Sequence, residues 1–78
     1  MTSLVTVKVG ENLYQMQRRS WAKLVEEASQ LVPCGVYAIE REGYCELRND
    51  PMTTAETMRA VEEWSADGWT CYARVQPE

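Results

Sequence analysis

The side chains with the most obvious chemistry are three thiols, Cys34, Cys45 and Cys71, in a chain of 78 residues that contains no histidine. A closed zinc site needs four nearby nitrogen or sulfur ligands, and no CxxC pair is present to start one. An odd number of widely spaced cysteines is not a disulfide framework. The three therefore read as small hydrophobes kept reduced. Ser20, Cys34 and Cys45 have no histidine to act as general base. The acidic pairs Glu26-Glu27 and Glu62-Glu63 are adjacent in sequence. Neighbours on a helix do not share a face, so each pair reads as solvated surface rather than an acid/base couple. Gly10, Gly35, Gly43 and Gly68 are isolated turn glycines, not a phosphate loop. The expectation is a protein with no catalytic residue, no metal site and no cofactor.

Size supports that expectation. A chain this short makes one domain, residues 1–78, and buries only about 60% of its unfolded surface. It has room for a thin core and little room for a deep cavity. Composition is that of a folded domain, 45% hydrophobic and 26% charged, with a formal net charge of -4. The acidic excess disfavours duplex nucleic acid. No apolar run approaches the roughly 18 residues of a membrane span. Met1 to Val5 lacks the pattern of a signal peptide, so the expected location is the cytoplasm.

The elements follow from periodicity. Val5, Val7 and Val9 alternate with Thr6 and Lys8 in a half-buried first strand over 4–9. After Gly10-Glu11-Asn12, residues 13–17 read as a short strand closing a hairpin or as an irregular lead into a helix. Ser20 is placed as helix N-cap. Trp21, Leu24, Val25, Ala28 and Leu31 form the buried stripe, ended by Pro33 and Gly35. Strands over 36–41 and 44–48 are joined by Glu42-Gly43 as a tight hairpin. Asn49-Asp50-Pro51 is expected to break the second of them. Thr53 to Glu56 is a capping box opening a second helix, with Met58, Val61 and Trp64 or Ser65 inward. Gly68 ends it, and 69–75 forms the last strand before the tail Gln76-Pro77-Glu78.

This order of elements resembles the ferredoxin-like βαββαβ arrangement, with an optional extra N-terminal hairpin strand. The expected fold class is α+β: a two-layer sandwich, one antiparallel sheet with both helices on one face. Alternation around Glu42-Gly43 puts Val36, Ala38, Cys45 and Leu47 beneath the helices, with Cys71, Ala73 and Val75 of the last strand. The opposite, open face then collects Tyr37, Ile39, Arg41, Tyr44, Arg48, Tyr72 and Arg74, beside Lys8 and Glu46. Most carboxylates fall on the helices, so the molecule is expected to be electrically two-sided.

That face is the expected binding surface. Tyrosine and arginine combine apolar area with hydrogen bonding and recur at interface hot spots. The partner would be another protein or a second copy. Sheet-borne rings with nearby arginines also suit single-stranded nucleic acid, and the element order resembles an RNA-recognition module. Tyr44-Cys45-Glu46-Leu47-Arg48 lacks that family's glycine-rich aromatic signature, and the net charge has the wrong sign. A solvated face with no partner is equally in keeping with antiparallel sheets. The stretches Glu11 to Met16, Gly35 to Glu40 and Tyr44 to Arg48 resemble small phage and prophage accessory proteins. That resemblance implies a stand-alone inhibitor or adaptor acting on a host protein, and it assigns no residue a role.

Overall fold

The computed structural model describes residues 4–76. Met1 to Ser3, and Pro77 and Glu78 of the tail, lie outside the described residues. The elements are β1 (Leu4–Val9), β2 (Asn12–Gln17), α1 (Arg18–Leu31), β3 (Gly35–Arg41), β4 (Tyr44–Pro51), α2 (Thr54–Ala66) and β5 (Thr70–Arg74). The chain is α+β, with one mixed sheet of strand order β2-β1-β4-β3-β5.

Both hairpin turns follow local chemistry. Gly10 supplies a positive φ of 63° between Val9 and Asn12, and β2 pairs with β1 over its whole length. At the second turn Glu42 and Gly43 both have positive φ, the twist that suits a two-residue hairpin, and Arg41 faces Tyr44.

The formation of β2 changes the architecture. It reverses the chain before α1, so β3 runs antiparallel to β1 and β4 runs parallel to it. The sheet is therefore mixed rather than antiparallel. β5 pairs with β3 at the far edge, and β2 takes the place beside β1. The two helical crossovers, β2 to β3 and β4 to β5, step across the sheet in the same direction between strands that point opposite ways. Crossovers nearly always share the right hand, and that rule sends these two helices to opposite faces.

Side chains agree with this. On α1, Arg18 and Trp21 both donate to the Glu40 carboxylate, at 2.7 and 3.2 Å. Trp21 packs in a buried cluster with Val5, Val7, Ala38 and Cys45. On the other face, Arg41 donates to the Asp67 carbonyl at the end of α2 (2.9 Å) and Arg48 lies over the Trp64 ring. Ile39, between Ala38 and Glu40, points to the α2 side and is fully buried. The expectation of two helices on one face is thus corrected to three layers: α1, sheet, α2.

Other boundaries moved for identifiable reasons. Gln17 serves as last residue of β2 and as N-cap, with extended φ and ψ, so α1 starts before Ser20 and Ser20 caps nothing. Val32 is buried at the end of that helix while Leu31 is exposed. β4 continues through Asn49 and Asp50 to Pro51, pairing with Gly35 and Val36 of β3. β1 pairs only with Tyr44 to Glu46, so Pro51 withholds no bond from that side. The capping box forms as expected: Glu56 N–H donates to Thr53 Oγ1, and Thr53 N–H donates to Glu56 Oε1. The inward stripe of α2 is Thr54, Thr57, Ala60, Val61 and Trp64, while Met58 is exposed. The Thr57 hydroxyl is satisfied by donating to the Thr53 carbonyl at 2.8 Å. Among the described residues no helix is long and apolar enough to cross a membrane.

Candidate functional site

The residues expected on one open face are divided by the sheet. β3 is bulged between Val36 and Ala38, so Val36 faces Ala73 while Ala38 faces Tyr72. The bulge turns Tyr37 to the α1 side, and the register that sets Tyr72 opposite Ala38 puts Tyr72 there as well, the two ring centroids 6.4 Å apart. Both rings are half-buried against the core cluster. Arg74, two residues after Tyr72, donates to the Ser29 carbonyl of α1 at 3.0 Å. Cys71 and Ala73 fall on the α2 side with Val36 and Ile39, so the expected core set is divided as well. Ile39 lies on the expected face of the sheet but is enclosed there beneath α2.

Arg41, Tyr44 and Arg48 remain together on the α2 side, joined by two residues that the strand alternation did not pick out, Trp64 and Trp69. These rings build a ladder. Tyr44 meets Trp69 edge-on at 6.1 Å, and Trp69 meets Trp64 edge-on at 5.5 Å. Arg41 lies 4.5 Å over the Trp69 ring and Arg48 lies 5.4 Å over that of Trp64. The Arg48 guanidinium is also held by Glu46 (2.9 Å) and Asp50 (2.6 Å), its neighbours on the same face of β4. Arg48 is thus balanced by two carboxylates, whereas Arg41 is held by the Asp67 carbonyl and the Trp69 ring.

The turn after α2 positions the tryptophans. The Trp69 N–H bonds the Trp64 carbonyl and the Gly68 N–H bonds the Ser65 carbonyl. Gly68 has a φ of 85°. These are the paired bonds of a Schellman ending, and the Trp64–Trp69 contact is the apolar clasp that accompanies it. The sequence signal was present: tryptophans at both ends of an Asp67-Gly68 stop.

Beside the ladder lies the uncovered part of the sheet. Among the described residues α2 lies along β3 and β5 and meets β4 where Arg48 lies over the Trp64 ring, with no backbone approach to β1 or β2. On its side of the sheet, β1 and β2 present Leu4, Thr6, Lys8, Leu13 and Gln15, in register with Tyr44 and Glu46 of β4. Leu4 and Leu13 are exposed. Thr6 stands opposite Tyr44, and Lys8 opposite Glu46.

The thiols have separate environments. Burial pushes the Cys45 thiol up to about 11. Burial also raises Cys71, against an opposing effect of Arg48. Cys34 is lowered, first by a backbone hydrogen bond from Gln76 and then by the hydroxyls of Thr54 and Thr57. Among the described residues no three His, Cys, Asp or Glu side chains come together as a metal ion would require. Comparison with protein-family models, with curated proteins and with solved structures gave no match.

Proposed function

We propose that this chain is a non-catalytic protein-binding module, an inhibitor or adaptor for a host protein in the cytoplasm, as the likeness to phage accessory proteins implies. The contact surface is the uncovered half of the α2 side: Thr6, Lys8 and Leu13 together with Tyr44 and Arg48. The observation that supports this reading is that α2 leaves β1 and β2 uncovered, so that the exposed Leu4 and Leu13 share a sheet face with the Trp-Tyr-Arg ladder. A preorganised aromatic and arginine patch loses little side-chain freedom on contact.

Single-stranded nucleic acid is the less favoured reading. Base stacking needs a free ring face, and the tryptophan faces are occupied by Arg41 and Arg48. Phosphate contacts need unbalanced cations, and Arg48 already has two carboxylates.

The test is a Thr6→Arg/Lys8→Glu variant, which alters the open half-face without touching the core. Affinity capture from host lysate with the wild-type chain should retain proteins that this variant loses, at unchanged melting temperature. Equal capture by both chains would overturn the surface assignment. Binding of a fluorescent single-stranded oligonucleotide that weakens with salt would replace this reading with the nucleic-acid one.

A further inference from the structure

β5 ends the sheet at the edge far from the open half-face, and among the described residues its outer side pairs with no strand. The groups on that side follow from the β3–β4 hairpin. A two-residue turn makes Arg41 and Tyr44 a hydrogen-bonded pair, so Arg41 and Ile39 turn their backbone toward β4, and Glu40 and Ala38 turn theirs toward β5. Thr70 and Tyr72 stand opposite Glu40 and Ala38 and complete those bonds. Cys71 and Ala73 therefore present their N–H and C=O groups outward. β5 holds no proline to block that side, and its one charge, Arg74, lies at its end.

Two features flank this edge. On the α2 side, Met58 and Val61 of the helix face Ala73 and Val75 across an apolar groove of about 330 Å³. Met58 is 60% exposed and Val75 is 46% exposed, more than their size and apolar character call for in a finished surface. At the start of β5, Thr70 shares a polar recess with the carboxylates of Glu42 and Asp67. Neither carboxylate forms an ion pair among the described residues, and neither does Arg74. Arg41 also lines the recess, but its guanidinium is turned to the Asp67 carbonyl and the Trp69 ring.

We infer that β5 pairs antiparallel with β5 of a second copy, across a two-fold axis that runs through the sheet at Tyr72. Only Cys71 and Ala73 can exchange hydrogen bonds across the edge. The register that uses the whole strand, Thr70 to Arg74, sets Cys71 against Ala73 of the second copy and Tyr72 against its own counterpart, a close non-hydrogen-bonded aromatic pair. In that register Arg74 of one copy stands opposite Thr70 of the other, beside the recess that holds Glu42 and Asp67. An unpaired cation at one end of the strand thus meets unpaired carboxylates at the other, twice across the axis. The helices agree with this pairing. A two-fold axis through the sheet keeps both α2 helices on one face. α2 lies along β3 and β5, so across the new junction the two helices stand about two strand spacings apart, roughly 10 Å, which is the packing distance of helices. Met58, Val61 and Val75 of each copy then close the groove of the other. Charge match, helix spacing and a shared apolar groove together identify a second copy as the occupant. This interface lies at the opposite edge of the sheet from the open half-face and leaves that surface free.

One strand pair and one helix pair make a small interface, and Glu62 on the rim of the groove adds a like charge from each copy, so the dissociation constant is on the order of 10 µM. Sedimentation equilibrium of the wild-type chain from ~1 µM to ~500 µM should show reversible dimerisation. Ala73→Pro removes an outward N–H and none of the β3 bonds, and should abolish the dimer. Met58→Glu changes an exposed side chain that the monomer's core does not use, and should weaken the dimer at least roughly tenfold at unchanged melting temperature. Arg74→Glu, or Glu42→Arg/Asp67→Arg, should each weaken it roughly tenfold across the two symmetric contacts. Mixing those two charge variants should restore pairing as a heterodimer, a readout that does not depend on Ala73→Pro folding. The Thr6→Arg/Lys8→Glu variant should still dimerise, so failure of the dimer and failure of the half-face are separable. A chain that stays monomeric at ~500 µM, a dimer indifferent to Met58→Glu, or no recovery on mixing the charge variants would overturn the proposal.

Discussion

The indoles of Trp64 and Trp69 meet nearly perpendicular, with centroids 5.5 Å apart, across the turn that ends α2. Through this contact the helix end is fastened to the β3–β4 hairpin, because Trp69 also carries Tyr44 and Arg41. Trp69→Ala removes three contacts at once and should destabilise the fold by about 2–3 kcal/mol, less than a fully buried tryptophan because the ring is half-buried. Gly68→Ala, which forces a side chain to a positive φ, should cost about 1 kcal/mol. Urea denaturation of both variants checks the order, and loss of near-ultraviolet circular dichroism in Trp69→Ala would report the broken ladder.

Gly35 sets a different constraint. It lies between Pro51 of β4 and Arg74 of β5, at a φ of 144°. A Cβ there would sit 2.1 Å from the Asp50 carbonyl oxygen. Backbone cannot yield as a flexible side chain can. Gly35→Ala should therefore cost about 2–4 kcal/mol and disturb the pairing of β3 with the end of β4. Gly10→Ala, with open space around its Cβ position, should cost less because only its φ is unfavourable. Melting temperatures of the two variants separate crowding from backbone strain.

Tyr37 and Tyr72 distinguish the alternation pattern from the fold. On simple alternation they belong to a wet face, and replacing both with serine would leave stability unchanged. In the structure they pack against each other and the α1 core, so Tyr37→Ser/Tyr72→Ser should lower stability by about 2–4 kcal/mol, a fall of roughly 10–20 °C in melting temperature. A thermal melt decides between the two. The error has a physical origin. Features that depend on neighbouring residues were legible: the Glu42-Gly43 turn, the Thr53–Glu56 capping box and the stop at Gly68. The side of Tyr37 depends on a bulge at Val36 to Ala38, and that of Tyr72 on the register of β5 against β3, which sets it opposite Ala38; a one-residue displacement in either reverses the side chain. The faces of the helices depend on β2 forming, since it reverses the direction in which the chain enters α1. Strand order is nonlocal, and no residue near β5 announces that it pairs with β3. The candidate site was legible for Arg41, Tyr44 and Arg48. Trp64 read only as helix packing, because its relation to Trp69 exists only once the turn has closed.

Cys45 makes the fold sensitive to alkali. Its side chain is fully buried between β1, β3 and α1, and burial holds its thiol at about 11 against an ordinary value of 9.0. A folded pKa above the unfolded one means that the native state favours the protonated thiol. The resulting stabilisation is complete below pH 9.0 and is lost progressively as pH rises toward about 11, by up to about 2–3 kcal/mol. Tyr72 and Cys71, both also raised by burial, act in the same direction. Urea unfolding from pH 8 to 11 should therefore show falling stability, and Cys45→Ala should flatten that fall while costing some stability at neutral pH. Thiol labelling gives an independent check. Cys34 is lowered and only half-buried, so it should react first with a thiol reagent at pH 8, with Cys71 slower and Cys45 reacting only on unfolding. Early labelling of Cys45 in the native protein would mean that α1 lifts from the sheet, and the alkaline loss would then reflect opening of that layer rather than the titration of a closed core.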